Sequence, residues 1–160
     1  MSVAEEHLFR TAWRVRDLDA WIDALSPDVV LHSPVVRAPF RGRGAAHELY
    51  GVLFETFGQV DIICDFADGD SHAFFWRADI SGRTIEGADL LRHDTDGKIA
   101  EITVLIRPMT DIAVFSAAVG PRLAAESSPA RGILAGLLTR PLVAILALAD
   151  AVASRLIGLR

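Results

Sequence analysis

Residues 59–107 read QVDIICDFADGDSHAFFWRADISGRTIEGADLLRHDTDGKIAEITVLIR. Apolar and polar side chains alternate here with a period of two, the pattern of half-buried strands. Three turn signals, Asp68-Gly69-Asp70, Ser81-Gly82-Arg83 and Asp96-Gly97, cut the stretch into strands at about 60–67, 72–80, 84–93 and 98–107. Short turns between consecutive strands imply an antiparallel meander. Alternation also sorts the faces. Asp89 falls with Ile85, Gly87, Leu91 and His93. Phe74, Trp76, Ala78 and Ile80 oppose Phe75, Arg77 and Asp79, and Ile102, Val104 and Ile106 oppose Glu101, Thr103 and Arg107. The apolar faces form the concave side, so Asp89 is expected among Leu, Ile and Trp side chains.

Upstream, the period lengthens to that of a helix. Ala4, Leu8, Phe9, Ala12 and Trp13 predict a helix over 4–14. Asp17 is placed to cap a second helix, in which Leu18, Trp21, Ile22 and Leu25 share a face, and Ser26-Pro27-Asp28 ends it. Val29 to Val36 reads as a strand, 37–44 as a loop, and 45–57 as a helix stopped by Gly58. Helices first and strands later give an α+β fold. Downstream, 111–125 reads as a helix ended by Gly120-Pro121, and 126–129 as a linker. Residues 130–139 and 142–159 then read as two helices split by Pro141. The expected division is a domain over 1–110 and a helical extension over 111–160.

The chain has 160 residues, 51% apolar and 23% charged, with a net charge of −5. This balance suits a globular domain and argues against a nucleic-acid partner. Residues 1–125 carry 12 basic and 19 acidic side chains, whereas 126–160 carry 4 and 2. Cys64 is the sole cysteine, which excludes an intrachain disulfide. With no apolar signal segment at the N-terminus, a cytoplasmic location is expected. The closest approach to a membrane span is Gly132 to Ala149, interrupted by Arg140 and Pro141. The last helix is apolar around most of its circumference and must be buried somewhere. A homodimer partner is the favoured cover. Membrane association of residues 130–159 and a lid over the pocket are the alternatives.

The segments DLDAWIDALSPDVVLHSPV, FRGRGAAHELY and TIEGADLLRHDTDGKIAEITVLIRP together resemble the nuclear transport factor 2-like superfamily, over about residues 5–110. That superfamily includes ketosteroid isomerases, SnoaL-type polyketide cyclases, limonene epoxide hydrolases and scytalone dehydratases. The resemblance implies a cone: a curved mixed sheet over N-terminal helices, cystatin-like, here with a C-terminal helical extension. Set against the isomerases, their oxyanion-hole aspartic acid falls on Asp89 and a pocket tyrosine on Tyr50. Their general base falls on Ser33 and their oxyanion-hole tyrosine on Phe9. The proton-abstracting half is thus missing, because serine needs a partner to deprotonate it. The Arg-x-Asp of the epoxide hydrolases falls on Gly87-Ala88-Asp89. The cyclases resemble this chain through Asp89 alone.

A carboxyl group on an apolar face has its charged form disfavoured and its pKa raised. Asp89 and Tyr50 are therefore the catalytic candidates, with Asp89 as general acid. Phe9, Trp13, Ser33, Phe74 and Trp76 are expected to contact substrate, as are Leu91, Ile102, Val104 and Ile106. His32 is expected to point away from the pocket, and His93 to sit solvated at a turn. The remaining histidines lack ligand spacing, so neither metal nor cofactor is expected. Asp94-Thr95-Asp96-Gly97 lacks the final glutamate of a calcium loop and reads as a hairpin turn. Arg41-Gly42-Arg43-Gly44 reads as a basic loop at the pocket mouth. Two functions stay open. One is an isomerase, cyclase, dehydratase or hydrolase acting on a polyketide, steroid or terpenoid. The other is a non-catalytic lipophile-binding or dimerisation module.

Overall fold

The computed structural model describes residues 11–13 and 15–158. They fall into two compact units, 1–106 and 107–160.

The described part of the first unit opens on a helical stretch at residues 11–13. Helix α1 (Leu18–Asp23) follows, and Asp17 caps it by accepting a hydrogen bond from the Ala20 amide at 2.9 Å. Strands β1 (Leu25–His32) and β2 (Phe40–Arg41) precede helix α2 (Gly42–Thr56). Four strands complete the unit: β3 (Val60–Asp68), β4 (Ser71–Ile80), β5 (Arg83–His93) and β6 (Ile99–Arg107). The sheet order is β2-β1-β6-β5-β4-β3. β1 lies parallel to β6, while the β1–β2, β3–β4 and β4–β5 pairs are antiparallel, so the curved sheet is mixed. Its concave face carries the core, with Trp21, Leu25, Leu31, Ile80, Ile85 and Ile102 fully buried.

The meander expected from 59–107 is present almost residue for residue. The turn at Asp94 is a hairpin held by its own side chain, whose Oδ1 accepts from the Asp96 and Lys98 amides at 3.0 and 2.8 Å.

Upstream the boundaries move. β1 starts at Leu25, four residues before the expected Val29, and takes in Ser26-Pro27-Asp28. The pairing of β1 with β6 shifts register between Leu25 and Val30, so Pro27 is accommodated in an irregular stretch of ladder. α2 likewise starts at Gly42 in place of Ala45. Gly42 has φ +78°, a conformation only glycine adopts freely. Arg43 therefore lies in the first turn of a helix, and the basic loop expected there is absent. Its guanidinium donates from Nε to the Leu25 carbonyl at 2.8 Å and reaches the Asp23 carbonyl. Lys98 Nζ donates to that same Asp23 carbonyl at 2.7 Å, so two cations close the C-terminal end of α1.

The second unit is a helical hairpin. α3 (Met109–Ser127) and α4 (Pro129–Leu156) fold back on one another about the single extended residue Ser128. The expected breaks at Gly120-Pro121 and Pro141 do not occur, since both helices run through their prolines. A proline in a helix costs one hydrogen bond without ending the helix when packing holds the flanks. Pro121 also serves the hairpin: its ring lies 3.7 Å from where a side chain on Gly136 would begin, and its carbonyl 2.8 Å from the same point on Gly132. The four-residue linker expected at 126–129 reduces to Ser128.

Arg43 donates to the part-buried carbonyl of Leu25. Arg43→Met should therefore lower stability by about 1–3 kcal/mol, measured by urea denaturation.

Candidate functional site

The site is built on the β4–β5 ladder. Phe74 pairs with Asp89 and Trp76 with Gly87. Gly87 has no side chain, and the Trp76 indole occupies the space one would fill. A Cβ on residue 87 would come within 2.2 Å of the ring. From there the indole Nε1–H donates to Asp89 Oδ1 at 2.8 Å, two residues along β5. Asp89 is 6% exposed. Burial pushes its carboxyl up to about 7, and the Trp76 hydrogen bond pulls the other way. Near neutrality the group is thus divided between carboxylic acid and carboxylate. The indole engages Oδ1, which leaves Oδ2 to carry the proton of the acid form.

Tyr50 is buried, with its ring edge-on to Trp21 at 5.3 Å. Burial foremost, then the Asp89 carboxylate, raises its hydroxyl well above the ordinary value, against a hydrogen bond with Trp21. The hydroxyl is consequently a neutral group at any working pH.

Trp13 stacks on Phe57 at 5.4 Å, and Phe57 lies 6.0 Å from Trp76. Phe57 is the link the sequence reading left out of the site, although its place in the α2 apolar pattern was visible. Leu91, Ile102 and Ile106 are buried with Asp89 on the concave side, and Val104 is half-buried. Ser33 lies just past β1, where its Oγ accepts the Val35 amide at 3.1 Å. Phe9 lies outside the described residues.

A cavity of about 260 Å³ opens beside this cluster. Trp21, Phe74, Leu91 and Ile99 supply its apolar walls, and His72, His93, Asp96 and Lys98 its polar groups. Phe74 and Leu91 belong to the expected lining, whereas Asp89 and Tyr50 are not among the residues that line this space. The expectation of a solvated His93 is overturned. His93 is buried, with Nδ1 3.1 Å from the Asp70 carbonyl. His72 is also buried, 3.7 Å from Asp65. Both occupy core-side positions of their strands: alternation places His93 with Asp89, and carried back from Phe74 it places His72 on the same side. His32 does point away, bonded to Glu101 at 2.9 Å beside the Arg92–Glu101 pair at 2.7 Å. Those two partners hold the Glu101 carboxyl below the usual range. No cluster of potential metal ligands occurs among the described residues.

Residues 6–102 match the SnoaL-like domain family, and the chain belongs to it. No curated protein matches the chain. Among solved structures, it resembles a steroid delta-isomerase from Pseudomonas aeruginosa at 27% identity and a TM-score of 0.69, over 75% of this chain and 89% of that one. A bacterial protein with a cystatin-like fold from Silicibacter pomeroyi is similar at 20% identity and a TM-score of 0.63, over 66% and 75%. SalBIII, an epoxide hydrolase/cyclase-like enzyme of pyran ring formation in salinomycin, is similar at 22% identity and a TM-score of 0.57, over 66% and 92%. The fold is thus nuclear transport factor 2-like, with isomerase and cyclase-like neighbours.

The Asp89 carboxyl binds its proton more tightly folded than unfolded. Its contribution to stability is therefore full below about pH 4 and is lost as pH rises through about 7. The loss should be on the order of a few kcal/mol. Denaturation curves across that range should show the decline in the wild type and a smaller one in Asp89→Asn.

Proposed function

We propose that this SnoaL-like chain binds a small apolar, oxygen-bearing molecule of polyketide, steroid or terpenoid type, and that Asp89 acts on it as a general acid. The observation that carries the proposal is one carboxyl group, buried in an apolar wall and held by the Trp76 indole at 2.8 Å, where burial pushes its pKa up to about 7. Such a group can protonate a carbonyl, hydroxyl or ether oxygen of the ligand and recover the proton afterwards. Isomerisation, cyclisation, dehydration and hydrolysis can each proceed through that step. Tyr50, neutral throughout, would assist as a hydrogen-bond donor. The likeness to the steroid delta-isomerase supports the substrate class.

A second reading, lipophile binding without turnover, rests on Ser33. It stands where the isomerases resembled here carry their base, and its hydroxyl is engaged by the Val35 amide. A homodimer in the cytoplasm completes the proposal. The outer face of the sheet exposes Phe66, Phe75, Leu90 and Leu105, an apolar surface of the kind a symmetric partner covers.

Native mass spectrometry of freshly purified protein should reveal a bound apolar molecule. With that molecule as substrate, Asp89→Asn should lower turnover by about 10²–10⁴-fold, and unchanged turnover would refute the acid role. Retention without any product would favour the second reading. Sedimentation of Leu90→Arg should show the dimer replaced by monomer.

A further inference from the structure

We propose that α4 docks on an anionic lipid bilayer, lying in the plane of the surface with its exposed apolar face in the outer part of the hydrocarbon. Among the described residues it is the one helix long and apolar enough to cross a membrane, and little of it is buried. One side is occupied: Gly132 and Gly136 are buried, with Pro121 and Ala125 of α3 close to them. The other side is a continuous apolar surface. Ile133, Leu137, Leu138, Ile145, Leu148 and Val152 are each between 44% and 70% exposed and recur at helical spacing.

Charge selects the occupant. Residues 107–160 carry six basic and three acidic side chains, against 10 and 18 in residues 1–106. On α4 itself, Arg131, Arg140 and Arg155 are all exposed. At 100° per residue, Arg131 and Arg140 fall on the two edges of the apolar face, Arg155 falls within it at the C-terminal end of the helix, and Asp150, the helix's sole acid, falls on the opposite side. Cations flanking an apolar stripe match lipid phosphates above acyl chains. A second copy packed antiparallel on this face would set Arg140, near the middle of the helix, against its own counterpart.

The geometry favours lying over crossing. The helix has 28 residues, long enough to span, but Arg140 lies near its middle and would enter the centre of the hydrocarbon. Its packed side would also carry α3, with Arg122 and Glu126, into the membrane. Lying flat, Arg140 stays at the level of the headgroups.

The test is co-flotation of the full chain with vesicles of phosphatidylcholine, alone or with phosphatidylglycerol. Binding should require the anionic lipid and weaken in high salt. It should fall by about tenfold or more in Leu137→Glu/Leu148→Glu and in Arg131→Gln/Arg140→Gln/Arg155→Gln. These side chains are exposed, and circular dichroism of each variant would confirm the fold. Three results would overturn the proposal: no flotation; equal binding to neutral vesicles that survives alkaline extraction, which indicates a span; or variants that dissociate an oligomer in sedimentation and leave vesicle binding intact.

Discussion

The hydrogen bond from the Trp76 indole to Asp89 is the contact around which the concave face is arranged. It exists because Gly87, opposite Trp76 in the ladder, leaves room for the ring. An indole donor fixes the carboxyl without supplying a counter-charge. A cation in its place would drive the group to carboxylate, and the acid would be lost. Without a donor, Oδ1 would be buried unpaired. Trp76 steers between these outcomes: its hydrogen bond lowers the carboxyl pKa, but less than burial raises it. Phe57 and Trp13 extend the aromatic wall behind it.

The strands were legible because three turns punctuate them and one buried face imposes a strict period. Asp89 was legible for the same reason, as an acid at a core-side position. The same rule placed His93 beside it, yet proximity to a turn suggested a solvated ring. The Asp70 carbonyl instead meets Nδ1 within the core. Arg43 was misread because Arg-Gly-Arg-Gly suggests a loop, whereas Gly42 merely permits the left-handed entry to α2. Pro121 and Pro141 read as helix stops because the penalty of a proline is local. For Pro121 the packing that holds the helix together, against Gly132 and Gly136, lies on another helix and leaves no mark in local sequence.

The fold and its family are common to isomerase and cyclase-like proteins, so they narrow the chemistry without choosing it. In the proposed reading Asp89 supplies the acid, and Ser33 stands where the isomerases resembled carry their base. A ligand that needs only protonation suits that arrangement, as does one that is merely held. The tail adds a separate property, a basic and apolar helix attached to an acidic unit, and the two would meet if the ligand were itself a membrane-soluble molecule.

The central claim is that Asp89 remains partly protonated at neutral pH. Carbon-13 NMR of the labelled carboxyl, titrated in the intact chain and assigned by Asp89→Asn, tests it most directly. A midpoint near 7 is the predicted result. A midpoint at the ordinary aspartate value, about 4, would contradict the account, because the group would then be a carboxylate with no proton to give.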